Sequence, residues 1–414
     1  LRTPQHPMRS NLLPILTALG LLSLSQAFAP DPEPRWWKGN THTHTLWSDG
    51  NALPEYAVTW YKDRGYHFLA LTDHNILQES ETWFPVATAG GARLQPDQVK
   101  AVLESKNPLL EERTREGQRE VRLNRHTELV QRFSDPGKFL LVPGEEVTSS
   151  WRSPGPEGRG HPVHINAIGL EAFIPPARGT SVVDVLNQVF DGIAAQEKSQ
   201  GSSVFGHLNH PNFGWGVSWE DMARIRAGIF FEVFNGHTGT ADAGDGKHPS
   251  TDEMWDRANI LRLTELKLPL LQGISTDDTH HYHGGKVAGP GGGWIVVRAK
   301  SLDLDSLTQA MRAGDFYSSS GVDLQDLKVS PTSYSVQAKV REGETLTIEF
   351  VGARKGDAPE PVVFSTSQGA EASYTFQGDE LFVRARVTSN LPHPAPKVEG
   401  ETQRAWTQPV LPGR

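Results

Sequence analysis

Between Trp36 and Ser320 short apolar runs alternate with helical patterns, and nearly every apolar run ends on a cluster of polar residues. The runs are HFLALTDHN, KFLLVPGEEVTS, HINAIGL, SVFGHLNHP, IFFEVFNG and LPLLQGISTDD. Their length and their flanking turn residues predict strands. Helical patterns fall at 54–64, where Pro54 opens the first turn and Gly65 stops it, and near 111–133, 181–198, 251–267 and 302–313. Such alternation predicts an α/β fold with a mostly parallel sheet and crossover helices, possible to close as a barrel. In folds of this kind chemistry collects at the C-terminal ends of the strands. The polar clusters sit at those ends.

Beyond Gly321 the pattern changes to a period of two, in LQDLKVSPTSYSVQAKVREGETLTIEFVGA and ASYTFQGDELFVRARV. This predicts a small antiparallel β domain over 322–390. The Pro-, Gly- and Thr-rich stretch 391–414 reads as a flexible tail. At the other end, Arg9, an apolar run from Leu12 to Leu24 and Ala27-Phe28-Ala29 form the three-part pattern of a signal peptide over 1–29. The expected location is secreted or periplasmic, with no stable membrane span after cleavage. The barrel then occupies 30–321. Oligomeric state is not legible.

Composition narrows the chemistry. A net charge of −9 argues against a nucleic-acid groove, because phosphates would meet no general positive field. The chain has no cysteine, so a metal here must be held by histidine and carboxylate.

The segment GNTHTHTLWSDG places His42 and His44 two residues apart, on one face if extended. Asp49 follows. Further strand ends carry Asp73-His74, Glu145-Glu146, His164, His207 with His210, and Asp277-Asp278 with His280, His281 and His283. Half or more of the 16 histidines gather in this way, beside carboxylates that would be costly at apolar strand ends without neutralising cations. The pattern predicts a multinuclear metal centre. Glu145 or Glu146, His207 or His210, and Asp277 or Asp278 remain alternatives as ligands.

The order H-x-H, S-D-G, T-D-H, G-x-E, H-x-N-A-x-G, H-P and D-x-H resembles the PHP (polymerase and histidinol phosphatase) superfamily of metal-dependent phosphoesterases, over about 36–320. WDRANILRLTELKLPLLQGISTDDTHHY and MRAGDFYSSSG are similar to its secreted bacterial branch. The resemblance implies a distorted (β/α)7 barrel. It implies a first metal on His42, His44, Glu146 and Asp278, a second on Glu146, His164 and His210, and a third on Asp49, His74 and His280.

Two or three divalent ions are expected, and nitrogen and carboxylate ligands suit Zn, Mn or Fe. The expected reaction is hydrolysis of a small phosphate ester by a hydroxide activated between metals. Attack on a carboxylic ester, carbamate or amide would use the same centre, and a non-catalytic metal-bearing binding module is the third reading. Asp277, His281 and His207 are the candidate acid–base residues. Arg152, Arg159 and Asn235 are the candidate substrate contacts.

Overall fold

The computed structural model describes residues 33–88, 92–105, 108–156, 158–284, 288–356 and 358–413. The signal-like segment 1–29 lies outside them. A thirteen-stranded sheet dominates. In chain order its strands are β1 Arg35–Asn40, β2 Phe68–Leu71, β3 Leu140–Arg152, β4 Gly160–Ile168, β5 Phe205–Leu208, β6 Phe230–Asn235 and β7 Gln272–Thr276. Then come β8 Trp294–Ala299, β9 Phe316–Ser319, β10 Leu346–Arg354, β11 Pro361–Gln368, β12 Glu380–Pro392 and β13 Thr402–Thr407. Their spatial order is β7-β6-β5-β4-β3-β2-β1-β8-β9-β13-β12-β10-β11.

The first seven strands are parallel except β4, which runs antiparallel to β3 and β5. Beyond the ends of β1 and β7 a parallel bridge joins Thr43 to Thr279. The principal helices are α1 Pro54–Asp63, α2 His126–Phe133, α3 Val182–Gln200, α4 Thr251–Leu261 and α5 Leu304–Arg312. The long α3 is capped by the Ser181 side chain, which accepts the Asp184 N–H, and ends on left-handed Gly201. Its apolar face, with Val185, Leu186, Val189, Phe190 and Ile193, packs into the same core as Val147, Ile165 and Leu208 of the sheet. Removing any one of these from water is worth about 1.5–3 kcal/mol.

Two expectations fail. The helix expected near 111–133 begins only at His126. Before it, Glu112–Arg115 and Gln118–Arg122 form a hairpin. Glu116 and Gly117 both adopt positive φ at the turn, and Arg113–Glu120 and Arg119–Glu112 pair across the strands. Charge alternation that reads as a helix surface is here a cross-strand ladder.

The stretch 391–414 is not a loose tail. It supplies β13, inserted between β9 and β12, with Tyr317 opposite Thr407 and Arg386 opposite Trp406. Trp406 is buried and stacks on Phe234 of β6 at 5.9 Å. The segment's proline and threonine content concealed one short buried strand. The antiparallel pattern after 321 is present, yet β10–β12 continue the main sheet, and Glu33–Arg414 form one compact unit. A buried ion pair fastens the join. Arg384 of β12 donates to both oxygens of Asp256 on α4 at 2.8 Å and lies 2.7 Å from Asp252.

Candidate metal centre

Residues 42–44 continue past β1 and are held on both sides. The His44 N–H donates to the Thr279 carbonyl and the Asp278 N–H to the His42 carbonyl. Thr43 points the other way, its hydroxyl donating to the Ala70 carbonyl. His42 and His44 therefore share a face, with ring centroids 5.1 Å apart. Asp278 has φ +50° and His210 φ +22°, conformations that side chains rarely adopt without restraint from their surroundings.

Four buried atoms converge. His42 Nε2 and His44 Nε2 lie 3.2 and 3.1 Å from Asp278 Oδ1, and 3.6 and 3.4 Å from Glu146 Oε2. None of the four atoms meets hydrogen-bond geometry among the described residues, although His74 Nδ1 stands 2.8 Å from Glu146 Oε2. The proton of His42 is placed by Glu232, whose Oε1 accepts from Nδ1 at 2.7 Å. Burial opposes a second proton on this ring, yet Asp278, Glu232 and Glu146 hold its pKa well above the ordinary range, so Nε2 faces two carboxylate oxygens that call for positive charge, from a proton or from a metal in its place. Buried lone pairs meeting one another are unfavourable, and a cation between them resolves the conflict. Ligands about 2.1 Å from a tetrahedral ion stand about 3.4 Å apart. The four atoms fit a divalent metal.

Glu146 shares its carboxylate. Oε2 faces His42 and His44, while Oε1 lies 3.1 Å from His164 Nδ1 and 3.3 Å from His210 Nε2. His42, Glu146 and His210 form a second group able to hold an ion, and His44, Asp49, His74 and His280 a third. Asp49 Oδ1 is 3.3 Å from His280 Nε2 and Oδ2 is 3.5 Å from His74 Nε2. Gly50 permits this fold-back, since a Cβ there would lie 2.7 Å from the His44 carbonyl. His280 Nδ1 donates to the Asp278 carbonyl at 2.9 Å, turning its Nε2 towards Asp49.

The electrostatics describe a carboxylate-rich centre that draws positive charge onto its histidines: against burial, Glu146 and Asp49 hold His74 up to about 10, and Asp49 and Asp278 hold His280 up to about 9. Burial works against ionisation of Glu146, but His74, His42 and His164 hold it well below the usual carboxylate range. Asp278 is likewise held low against burial by His42, His44 and His280. Burial and the neighbouring His280 push His44 down to about 3, so its ring is neutral and its nitrogen free to ligate.

Eight of the nine residues that the resemblance implies fall into these groups, and the ninth, His164, lies against Glu146 Oε1 while His42 takes its place in the second group. Each open alternative is separated by geometry. Glu145 Oε1 turns away to accept the Ile174 N–H, His207 Nε2 faces Thr41, and Asp277 accepts from Tyr61 and from the N–H groups of Gly291 and Gly293.

The other candidates are corrected. Asp277 is a buried anchor for a glycine-rich loop, and His207 packs behind His42; neither reaches the cluster face. His281 is exposed and makes no hydrogen bond to the cluster among the described residues; its N–H donates to the Ala288 carbonyl. Neighbours in sequence point to opposite sides of an extended chain, so half of each polar pair must face inward. Arg152 and Arg159 sit at the tip of the β3–β4 hairpin, Arg152 four residues beyond Thr148 and Arg159 five residues before its partner His164. Four residues span about 13 Å along a strand. Both spend their guanidiniums on backbone carbonyls, Arg152 on Gly158 and Arg159 on Gly214 and Trp215. Asn235 is buried under the centre, where its Nδ2 donates to Glu232 at 2.8 Å and to Asp278 at 3.1 Å. It orients a ligand rather than substrate.

Sequence reasoning missed the supporting layer. Glu232 also accepts from Thr276 Oγ1 and from the His210 N–H, each at 2.7 Å. Asn209 donates to Glu146 Oε1 at 2.8 Å. Asp73 accepts from Thr45 and Ser48, pinning the loop that carries Asp49. The signal for Glu232 was available: it is the lone charge in the apolar strand FFEVFN.

No family model and no curated protein matches the chain. Solved structures similar to it include the following two. One is a two-domain protein containing a predicted PHP-like metal-dependent phosphoesterase from Bacteroides vulgatus ATCC 8482, at 14% identity and TM-score 0.38, covering 92% of this chain and 97% of that one. The other is PsfC from Pseudomonas syringae PB-5123, at 14% identity and TM-score 0.32, covering 67% of this chain and 88% of that one. The chemistry is read from the site's own geometry.

Proposed function

We propose that the chain is a metal-dependent hydrolase of the PHP type, acting as a phosphoesterase outside the cytoplasm on a small phosphate ester. The observation that carries this reading is the convergence of four buried atoms from His42, His44, Glu146 and Asp278, with Glu146 shared by a second set. We read the seven strands β1–β7, joined past their ends by Thr43 and Thr279, as a distorted (β/α)7 barrel that carries the centre at its C-terminal rim.

Divalent ions bound there would supply Lewis acidity and a strongly acidified water. The protein's part is orientation. Glu232 fixes the His42 tautomer, the Asp278 carbonyl fixes that of His280, and Asn209 and Asn235 hold the two central carboxylates. His164 and His74 keep partial access to solvent and Asp49 is half-exposed, so the centre opens on their side. A structural site fills every coordination position with protein, whereas a catalytic one keeps a position open to solvent or substrate. Three dications set against Asp49, Glu146, Asp278 and a hydroxide, or two set against Glu146, Asp278 and a hydroxide, would leave excess positive charge, which suits an anionic ester.

The test is a screen of the protein, loaded in turn with Zn, Mn and Fe(II), against phosphomonoesters, phosphodiesters and carboxylic esters. Chelator-sensitive release of phosphate is expected. Turnover of carboxylic esters alone would replace the phosphoesterase reading.

A further inference from the structure

On the open side of the centre stand two residues that no ligand set uses, His237 and Phe213. His237 lies two residues past β6. Its N–H donates to Asn235 Oδ1 at 2.8 Å, which ties its backbone to the residue orienting Asp278. Its Nδ1 accepts the Gly239 N–H at 2.9 Å. An imidazole whose Nδ1 accepts carries its proton on Nε2, so the free edge of this ring is a donor. The ring meets His280 edge to face at 5.2 Å.

Gly239 makes room for that arrangement. A Cβ there would stand 2.9 Å from His237 Cε1 and Nδ1, and 3.9 Å from Phe213 Cε2. His237 and Phe213 therefore flank one small residue. The Phe213 ring packs 5.2 Å from His210 and 6.0 Å from His164, yet remains 38% exposed. It is a half-bare aromatic face set against two candidate ligands, opposite a fixed donor beside a third.

Resting on the hydrolase reading above, we propose that His237 and Phe213 form the substrate rim of the centre, His237 Nε2–H donating to a phosphoryl oxygen and Phe213 covering the alcohol portion. The substrate class is then a phosphate ester of an aromatic or bulky apolar alcohol. An ester of a small polar alcohol would leave the Phe213 face in water. The exposed arginines, Arg152 and Arg159, are engaged with loop carbonyls, so the rim offers a second anionic group no cation from that hairpin.

The test is calorimetric titration of the metal-loaded full chain with phenylphosphonate and methylphosphonate, which reads binding without turnover. Wild type is expected to bind phenylphosphonate about tenfold more tightly. Phe213→Ala should bring the ratio near one, with methylphosphonate affinity and metal content unchanged. His237→Phe should weaken both probes about tenfold, again with full metal content, and His237→Gln, which keeps a donor near the Nε2 position, should restore most of the loss. Equal affinities in wild type, a preference that survives Phe213→Ala, or undiminished binding by His237→Phe would overturn the rim. Wild type that binds neither phosphonate would overturn the phosphoesterase reading, a result distinct from loss of preference.

Discussion

Glu232 is the most informative residue to perturb, because it touches no candidate substrate position yet supports two ligands. Its Oε1 accepts from His42 Nδ1 and Thr276 Oγ1, and its Oε2 from the His210 N–H and Asn235 Nδ2, at 2.7–2.8 Å. Burial opposes its ionisation, but His42, His207 and His210 hold it at about 2, so it is a carboxylate in use. Glu232→Gln preserves size and removes one acceptor. If the amide NH2 replaces Oε2, it confronts the His210 N–H, which can never accept, and the Asn235 amide, which can offer its oxygen only by releasing Asp278. If it replaces Oε1, the Thr276 hydroxyl can rotate, but His42 must reverse its tautomer and point Nε2–H into the cluster. Each buried donor left unmet costs about 1–3 kcal/mol. Loss of such a supporting partner weakens metal binding about 10–100-fold, or roughly 1.4–2.8 kcal/mol. Competition with a chromogenic chelator measures that affinity, and thermal unfolding with and without metal separates it from general instability. Metal affinity within twofold of wild type at an unchanged melting temperature would refute the assigned role.

Three further outcomes are expected. His42→Ala should lose metal and turnover together while retaining the circular dichroism of the folded protein; full metal occupancy with normal turnover would contradict the ligand assignment. Arg384→Ala should destabilise the protein by about 3–5 kcal/mol in urea unfolding, because Asp256 stays buried without its guanidinium partner, while Asp252 keeps Arg386; a loss below 1 kcal/mol would show that α4 and β12 are held mainly by apolar contact. Burial pushes Glu55 up to about 7, against weaker pulls from Asn124 and Arg122. The folded state thus keeps a proton that the unfolded chain releases near 4.5, and stability falls as pH rises between those values. Above pH 7 the cost approaches about 3 kcal/mol, so Glu55→Gln should stabilise the protein by about that much at pH 8 and hardly at all at pH 4.5, as read by urea unfolding at the two pH values. Equal effects at both would refute the burial argument.

The histidines and carboxylates of the cluster were legible because rare residue types are concentrated at strand ends, where periodicity already locates them. Choosing within each polar pair was not, because period-two alternation sends Glu145 and Glu146, or Asp277 and Asp278, to opposite sides without saying which side is the centre. The hairpin at 112–122 was hidden because charge alternation serves a helix surface and a strand pair alike. β13 was hidden because six residues, TQRAWT, carry too little pattern; only their partners on β9 and β12 define them. Asn235 was legible as a polar strand end, but whether it faces substrate or a ligand depends on Asp278, 43 residues away.

The C-terminal segment reaches further than packing. Lys397 is buried and donates to the Asn235 carbonyl at 2.6 Å and to Thr240 Oγ1 at 3.1 Å, and it pairs closely with Asp242. Asp242 Oδ2 in turn accepts the Asn235 N–H at 2.9 Å. Every polar group of Asn235 is then engaged, since Oδ1 accepts from His237 and Nδ2 donates to Glu232 and Asp278. A residue held at its carbonyl, its N–H and both ends of its amide has no freedom to drift. That rigidity bears on Asp278, which must keep a positive φ while aiming Oδ1 at His42 and His44. The segment 391–414 therefore belongs to the frame of the metal centre. Lys397→Met combined with Asp242→Asn removes both charges, leaves an acceptor for the Asn235 N–H, and frees only the carbonyl side. The double variant should fold, yet bind metal up to about tenfold more weakly. Chelator competition that returns the wild-type affinity would show that Lys397 merely packs, and that Asp278 is held by β7 alone.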